Sequence, residues 1–420
     1  MLPLDTLSFI AFLAAMAVFV VLDRKSIEAQ AIFLIRRTKR GRNFIINTGR
    51  RFHRFWTWVG NIAVVTVFIA SIIGVYNLLL IFLDIVANMR PAVGVGGLVI
   101  PSPVAVAGGG FIGVPLWYWL ISVLVLMCVH EGMHGIMAAS QKMKIKNLGW
   151  ILLLVLPMGA FVEPDEKDVA RKKPMAQLRF FAAGSFANFV TAFLIAFIIA
   201  PMIFTAVTVP AEGVHVFPQK GYPFANSTEL RQLTDHFNST MNPKFFVRSI
   251  DGRTVSSVDG IKEVFAAEGI MPGDYVSLNM DIYYGDNKDN VDIMIQAVSN
   301  PENKTKAYIG ILMFDEDAMS KQLLPSQSIM TFRVVSDGFI PYRRALFFLH
   351  ELLLWMFFLN LGIGLFNALP LSILDGKRMW DTLLKRIVPR RSKKIMRAVE
   401  WITLVILLVI LLPAILSNFI

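Results

Sequence analysis

Apolar residues in this chain collect in long, nearly uninterrupted runs, and polar residues collect between them. Six runs come close to or exceed the roughly 20 residues a helix needs to cross a bilayer. They lie at about 5–22, 57–88, 116–140, 178–206, 343–370 and 399–419, and each predicts a membrane-spanning helix. A seventh piece, "LGWILLLVLPMGAF" (148–161), is too short to cross as a helix. Its Pro157 and Gly159 suit a re-entrant or partly extended element, which must be buried in protein if it lies at membrane depth. Residues 91–115 are punctuated by Gly and Pro and read as a loop with extended pieces.

The pattern changes between the fourth and fifth runs. Residues 207–340 hold 17 Asp and Glu against 11 Lys and Arg, which marks a soluble insertion. Within it, "FFVRSIDGRTVSSVDGIKEVFAAEG" predicts a strand, a tight Asp-Gly turn, a second strand and a helix. "DYVSLNMDIYYGDNKDNVDIMIQAV" predicts a hairpin. The fold class is therefore a polytopic α-helical membrane protein of about six transmembrane helices, with an inserted extracytoplasmic β/α domain.

Composition agrees with this class. Hydrophobic residues make up 55% of the 420 and charged residues 17%, whereas a soluble globule carries about 25% charged residues. The net charge of +11 raises the question of nucleic acid, and its distribution answers it. Ten Lys and Arg fall in 23–54 and nine in 377–397, both beside membrane runs and on one side if the spans are counted through. Basic loops mark the cytoplasmic side and suit anionic lipid headgroups, so no nucleic-acid partner is expected. Both termini and residues 207–340 then lie outside. Three N-x-S/T sequons, at Asn226, Asn238 and Asn303, all occur in that outside segment. The N-terminal run has its charges after it and reads as an uncleaved anchor. The single cysteine, Cys128, excludes an intramolecular disulfide framework and any cysteine-cluster metal site.

The third run contains "CVHEGMHGIM", with His130, Glu131 and His134 among apolar residues. Ionisable groups in hydrocarbon are costly and mark function. His130 and His134 share one helix face, while Glu131 points about 100° away. H-E-x-x-H on a helix is the zinc-hydrolase pattern: two imidazoles bind the metal and the carboxylate serves as general base. A catalytic zinc needs a third protein ligand. Asp375, in "LFNALPLSILDGKRMW", follows an apolar helix interrupted by Pro370, which should break the helix and fold the Asp back toward the bilayer. An ordinary Asp-Gly turn at the end of a span is the alternative. Asn188 lies mid-run in "FFAAGSFANFVTAF", with Gly184 and Ala187 allowing close helix contact. Its amide either serves the substrate or oxyanion or bonds one helix to another.

Together these residues resemble the site-2 protease family of intramembrane zinc metalloproteases. H-E-x-x-H matches His130, Glu131 and His134, followed by Gly135. N-x-x-P-x-x-x-L-D-G matches Asn367, Pro370, Leu374, Asp375 and Gly376. G-x-x-x-N matches Gly184 and Asn188, with Ser185 where Pro is frequent, and "GAFVEPDE" (159–166) resembles the segment after the first motif in one branch of the family. The resemblance implies zinc held by His130, His134 and Asp375, Glu131 as base, and a substrate region at Asn188, Gly184 and Asn367. It further implies cleavage of a membrane-spanning protein substrate on the cytoplasmic side of the bilayer, in the manner of regulated intramembrane proteolysis.

Members often carry an outside PDZ domain, and "VRSIDGRTV" and "GIMPGDYVSL" look PDZ-like, although the usual carboxylate-binding loop is not recognisable. An archaeal-type member with a PDZ-like insertion that screens substrates is the expectation. Its parts are 1–114 (first two helices and loops), 115–206 and 341–380 (catalytic membrane core), 207–340 (PDZ-like domain) and 381–420 (basic loop and last helix). A non-proteolytic scaffold binding peptides through the outside domain is the competing reading. An intact base at Glu131 argues against it. A transporter with a midplane metal site would show paired broken helices in related halves, and the sequence has no such symmetry.

Overall fold

A backbone surrounded by hydrocarbon must satisfy its N–H and C=O groups within its own segment, so long apolar runs fold as helices. The computed structural model describes residues 4–30, 33–88, 98–102, 106–108, 111–153, 156–210, 212–218, 222–227, 244–284, 287–300, 304–313, 333–335 and 337–416. The chain divides into two compact units, Met1–Ile195 with Glu351–Ile420, and Ala196–His350.

The first unit opens with α1 (Leu4–Leu22), a hairpin of β1 (Ile27–Gln30) and β2 (Phe33–Thr38), then α2 (Arg42–Arg51) and the long α3 (His53–Asn88). Strands β3 (Leu98–Ser102), β4 (Val106–Gly108) and β5 (Phe111–Pro115) form a small sheet with β5 in the middle. They are the extended pieces expected in 91–115, of which 91–97, 103–105 and 109–110 lie outside the described residues. Then come α4 (Leu116–Ser140), β6 (Ile145–Leu153) and β7 (Leu156–Pro164). Helix α5 (Glu166–Arg171) follows, its first N–H groups accepted by Asp165, and then α6 (Pro174–Leu194), which starts on a proline that has no N–H to leave unpaired.

The apolar piece 148–161 is an antiparallel hairpin, β6 with β7, and β6 pairs on its other side with β2. The sheet order β1-β2-β6-β7 leaves β7 as an edge strand. Pairing in a sheet satisfies a run too short to span as a helix, which is why the extended alternative holds.

In the second unit α6 runs on through a π-helical turn (Ile195–Ile199) into α7 (Ala200–Val207). Strand β8 (Thr208–Pro210), β9 (Val214–Pro218), helix α8 (Pro223–Asn226), β10 (Lys244–Ile250), β11 (Arg253–Thr254) and helix α9 (Val258–Ala267) follow. Next are β12 (Tyr275–Tyr284), β13 (Asn287–Gln296), β14 (Val298–Ser299), β15 (Ala307–Tyr308), β16 (Ile311–Met313) and β17 (Arg333–Val335). The main sheet runs β13-β12-β10-β9-β16. Asp251 and Gly252 both have positive φ, +47° and +79°, as a tight hairpin turn requires, and they join β10 to β11 as the sequence predicts. Val258, Ile261 and Val264, three apart on α9, pack with Val247, Leu278 and Ile282 of the sheet in one hydrophobic core. On β12, Asp281 is 1% exposed and accepts hydrogen bonds from Arg248 and Lys288, each at 2.9 Å, and from Asn290 at 2.8 Å. Burial alone would raise its carboxyl; the bonds from Asn290, Lys288 and Arg248 hold it below its ordinary value. Of the sequons, Asn226 ends α8, and Asn238 and Asn303 lie outside the described residues.

The chain then enters α10 (Arg343–Ala368), α11 (Asp375–Ile387) and α12 (Ser392–Leu416). Among the described residues four helical stretches are long and apolar enough to cross a membrane: His53–Ala87, Leu116–Ser140, Pro174–Phe204 and Ala345–Ala368. The other two apolar runs, over their described residues, fold as the helices α1 and α12. Helix α6 touches α3, α4 and α11. Small residues at the crossings, among them Ala63, Ala138, Ala139, Ala182 and Ala368, lie in the core of this unit and let the backbones approach closely.

Candidate metal centre

Helix α4 holds the first two polar groups of the site. His130 and His134, one turn apart, are both buried, and their Nε2 atoms stand 3.2 Å from each other. His134 Nδ1 lies 2.8 Å from the Phe180 carbonyl on α6. A carbonyl only accepts, so Nδ1 carries a proton, and the neutral ring then has Nε2 to offer to a metal.

The third group arrives from far along the chain. Helix α10 ends at Ala368, two residues before Pro370, and α11 starts at Asp375. The intervening loop folds so tightly that a Cβ on Gly376 would stand 2.1 Å from the Ala368 carbonyl oxygen. Glycine is the residue that fits there. The fold-back brings Asp375 Oδ2 to 3.0 Å from His134 Nε2 and 3.3 Å from His130 Nε2. Among the described residues these three are the group of His, Cys, Asp and Glu side chains that could hold a metal ion.

The donor set fits zinc on three observations. Bonds of about 2.0–2.1 Å in a tetrahedron separate neighbouring ligand atoms by about 3.3 Å, and the observed separations are 3.0–3.3 Å. His134 Nε2 and Asp375 Oδ2 face each other at 3.0 Å in a largely buried place, where both can serve a cation once no proton is shared between them. Gly184, on α6, has no Cβ; one there would lie 2.4 Å from His134 Nε2 and 2.5 Å from His130 Nε2. The site keeps an open cradle against the two nitrogens.

Asn188, one turn beyond Gly184, is completely buried, and its amide meets His130 Nδ1 at 3.1 Å while Oδ1 is left unpaired. When His130 offers Nε2 to a metal, Nδ1 holds the proton and must donate. An amide turned by 180° accepts that proton on Oδ1 and removes the unpaired oxygen. Glu131 points elsewhere: its Oε2 accepts the Val162 N–H of β7 at 3.0 Å.

A cavity of about 390 Å³ opens over these groups and is lined by His130, Glu131, His134, Asn367, Asp375 and Arg378, with apolar walls. Asn367 thus reaches the cavity, while Asn188 and Gly184 stand behind the histidines and are not among its lining residues. Three groups at the site stand outside the sequence motifs: the Phe180 carbonyl, the Val162 N–H and Arg378. The first two are backbone groups without a sequence signal. Arg378 stands three residues after Asp375, on the same helix face, and that spacing was available as a signal.

The glycine cradle generates a test. Gly184→Ala should lower zinc affinity by at least about 100-fold, because a methyl group cannot occupy the space beside both nitrogens. On α4, a Cβ at Gly132 would meet nothing within 4 Å, so Gly132→Ala is the control and should retain zinc. Zinc content after titration with a chelator checks both.

Comparison with known proteins accords with this geometry. The profile described as Peptidase family M50 matches residues 118–411, which contain every residue of the site. An uncharacterised protein of Methanocaldococcus jannaschii is 27% identical over 397 residues, covering 93% of this chain and 89% of the relative. M50 peptidases are zinc-dependent in general, and this chain belongs to that family, the site-2 protease family of membrane metallopeptidases.

Proposed function

We propose that this protein is an intramembrane zinc metalloprotease that cleaves membrane-spanning protein substrates. The observation that carries the reading is the convergence of His130, His134 and Asp375 within one metal-sized space, with the Glu131 carboxylate lining the same cavity. His130, His134 and Asp375 hold the zinc, which supplies Lewis acidity toward water and the scissile carbonyl. Glu131 takes a proton from the attacking water as the water oxygen bonds to the carbonyl carbon. It then delivers that proton to the amide nitrogen as the C–N bond breaks. A scaffold without activity has no use for such a base beside a complete ligand set.

The substrate strand is presented along β7. A helical segment hides its carbonyls in i→i−4 bonds, so the substrate must unwind before water can attack. An unwound strand in an apolar setting then needs new hydrogen-bond partners, and the open edge of β7 offers them. Ala160 and Val162 line the cavity, and the Glu131–Val162 bond ties the base to that same strand. Asn188 acts behind His130 as the acceptor that holds its tautomer, and Gly184 keeps the metal space clear.

For the whole chain we propose six spans in the cell membrane, with the basic segments 23–54 and 377–397 in the cytoplasm and residues 207–340 outside as a PDZ-like module. The division at 1–114, 115–206, 207–340, 341–380 and 381–420 follows from this arrangement. Charge asymmetry along the sequence supports it.

Three outcomes test these assignments. Glu131→Gln should keep zinc near one per chain and lower cleavage by about 10²–10⁴-fold, whereas His134→Ala and Asp375→Asn should lose metal and cleavage together. Full activity in Glu131→Gln would remove the mechanism.

Asn188→Ala should weaken zinc binding by about 10–100-fold, and Asn188→Asp, which still accepts the imidazole proton, should restore it. Unchanged zinc affinity with slower cleavage would instead assign the amide to the substrate.

For sidedness, single cysteines replacing the exposed Asp259 and Lys394, in a Cys128→Ser background, should react with an impermeant maleimide from opposite faces of sealed vesicles. Labelling of both from one face would overturn the topology.

A further inference from the structure

Six polar side chains line the catalytic cavity, and the mechanism above uses four of them. His130, His134 and Asp375 hold the metal and Glu131 moves the proton. Asn367 and Arg378 remain. Arg378 is the only Lys or Arg among the lining residues. It pairs with no carboxylate, and its guanidinium donates no hydrogen bond, among the described residues.

Its position is nevertheless defined. Arg378 is on α11, three residues after Asp375, so the two side chains share a face. Helical side chains lean toward the N-terminus of their helix, which tips the guanidinium back toward Asp375. The guanidinium carbon lies 5.8 Å from the centre of the buried Phe181 ring on α6. Phe181 adjoins Phe180, whose carbonyl fixes His134. A guanidinium resting on an aromatic face keeps its in-plane N–H donors available. A planar cation with free donors beside a reaction centre is suited to bidentate recognition of an oxygen anion.

We propose that Arg378 is a specificity-determining residue that binds a carboxylate side chain of the substrate, an Asp or Glu within about three residues of the scissile bond. The range follows from geometry. One helical turn advances about 5.4 Å, and an extended peptide advances about 3.3 Å per residue, so a cation one turn from a metal ligand addresses a residue near the cut and not the cut itself. The cavity walls are otherwise apolar, which accounts for an apolar substrate segment; Arg378 adds a polar mark by which one such segment is told from another. This deepens the proteolytic reading and rests on it.

The test uses the full-length protein in detergent micelles and a synthetic membrane-spanning peptide with a central Gly-Pro pair and a fluorescent label. Peptides are made with Glu, Gln or Lys at each of the three positions on either side of the cut mapped with the wild type, or of the Gly-Pro pair if none is cut. Binding is measured on Glu131→Gln protein and on the Glu131→Gln, Arg378→Gln double variant. Cleavage is measured on the wild type, Arg378→Gln and Arg378→Glu. At one or two positions the Glu peptide should bind Glu131→Gln on the order of tenfold more tightly than the Gln peptide. That ratio should collapse toward one in the double variant. Arg378→Glu should invert the preference, favouring Lys, a gain that damage to the fold cannot produce. If Arg378→Glu loses zinc, the Gln variants carry the comparison.

Equal binding of the Glu and Gln peptides at all six positions would overturn the proposal. So would a selectivity that survives Arg378→Gln. A fall in kcat that is the same for Glu, Gln and Lys peptides would also overturn it, since the guanidinium would then serve the developing oxyanion. Failure of the proteolytic reading looks different: the wild type cuts none of the peptides, while Glu131→Gln still prefers the Glu peptide through Arg378.

Discussion

Two imidazole nitrogens and a carboxylate oxygen aimed at one point in a largely buried interior need a positive charge among them, a proton or a metal ion. His130 Nε2, His134 Nε2 and Asp375 Oδ2 meet at 3.0–3.3 Å, and the surrounding structure follows from that convergence. The Phe180 carbonyl fixes one imidazole, and the Asn188 amide stands against the other. Gly184 has no Cβ because one would collide with both nitrogens. The break after Ala368 and the close fold at Gly376 return Asp375 to His134 of α4, 241 residues away along the chain. Each of these features costs local regularity, and the metal-sized space they leave accounts for all of them.

The second constraint is the backbone. Helices solve the problem of N–H and C=O groups in hydrocarbon by hiding them, and a protease must do the reverse to its substrate. The same unit therefore holds a four-stranded sheet beside its helices, with edge strand β7 lining the cavity and bonded to the base. An edge strand is a liability in most folds because it recruits other strands. Here recruitment of an unwound peptide is the use proposed for it. All the residues of the cavity belong to this unit. The other unit has its own hydrophobic core and an ion network around the buried Asp281.

Much of this was legible in the sequence by itself. Helices in the six apolar runs follow from run length, since a long apolar segment has no other way to satisfy its backbone. The positive-φ turn at Asp251–Gly252 and the stripe on α9 follow from local steric rules and a period near 3.6. His130 and His134 share a face because the helix repeat puts them there, whatever surrounds them. Asp375 was readable through Pro370, a local break whose consequence is non-local. What only the tertiary structure decided is everything that depends on a meeting between distant segments: the approach of Asp375 to α4, the amide of Asn188 turning to His130 and away from the cavity, β7 ending its sheet, and Arg378 lying over Phe181. Periodicity and propensity act over a few residues, whereas these contacts depend on how helices cross, and crossings are set by the summed shapes of many side chains that no short motif records.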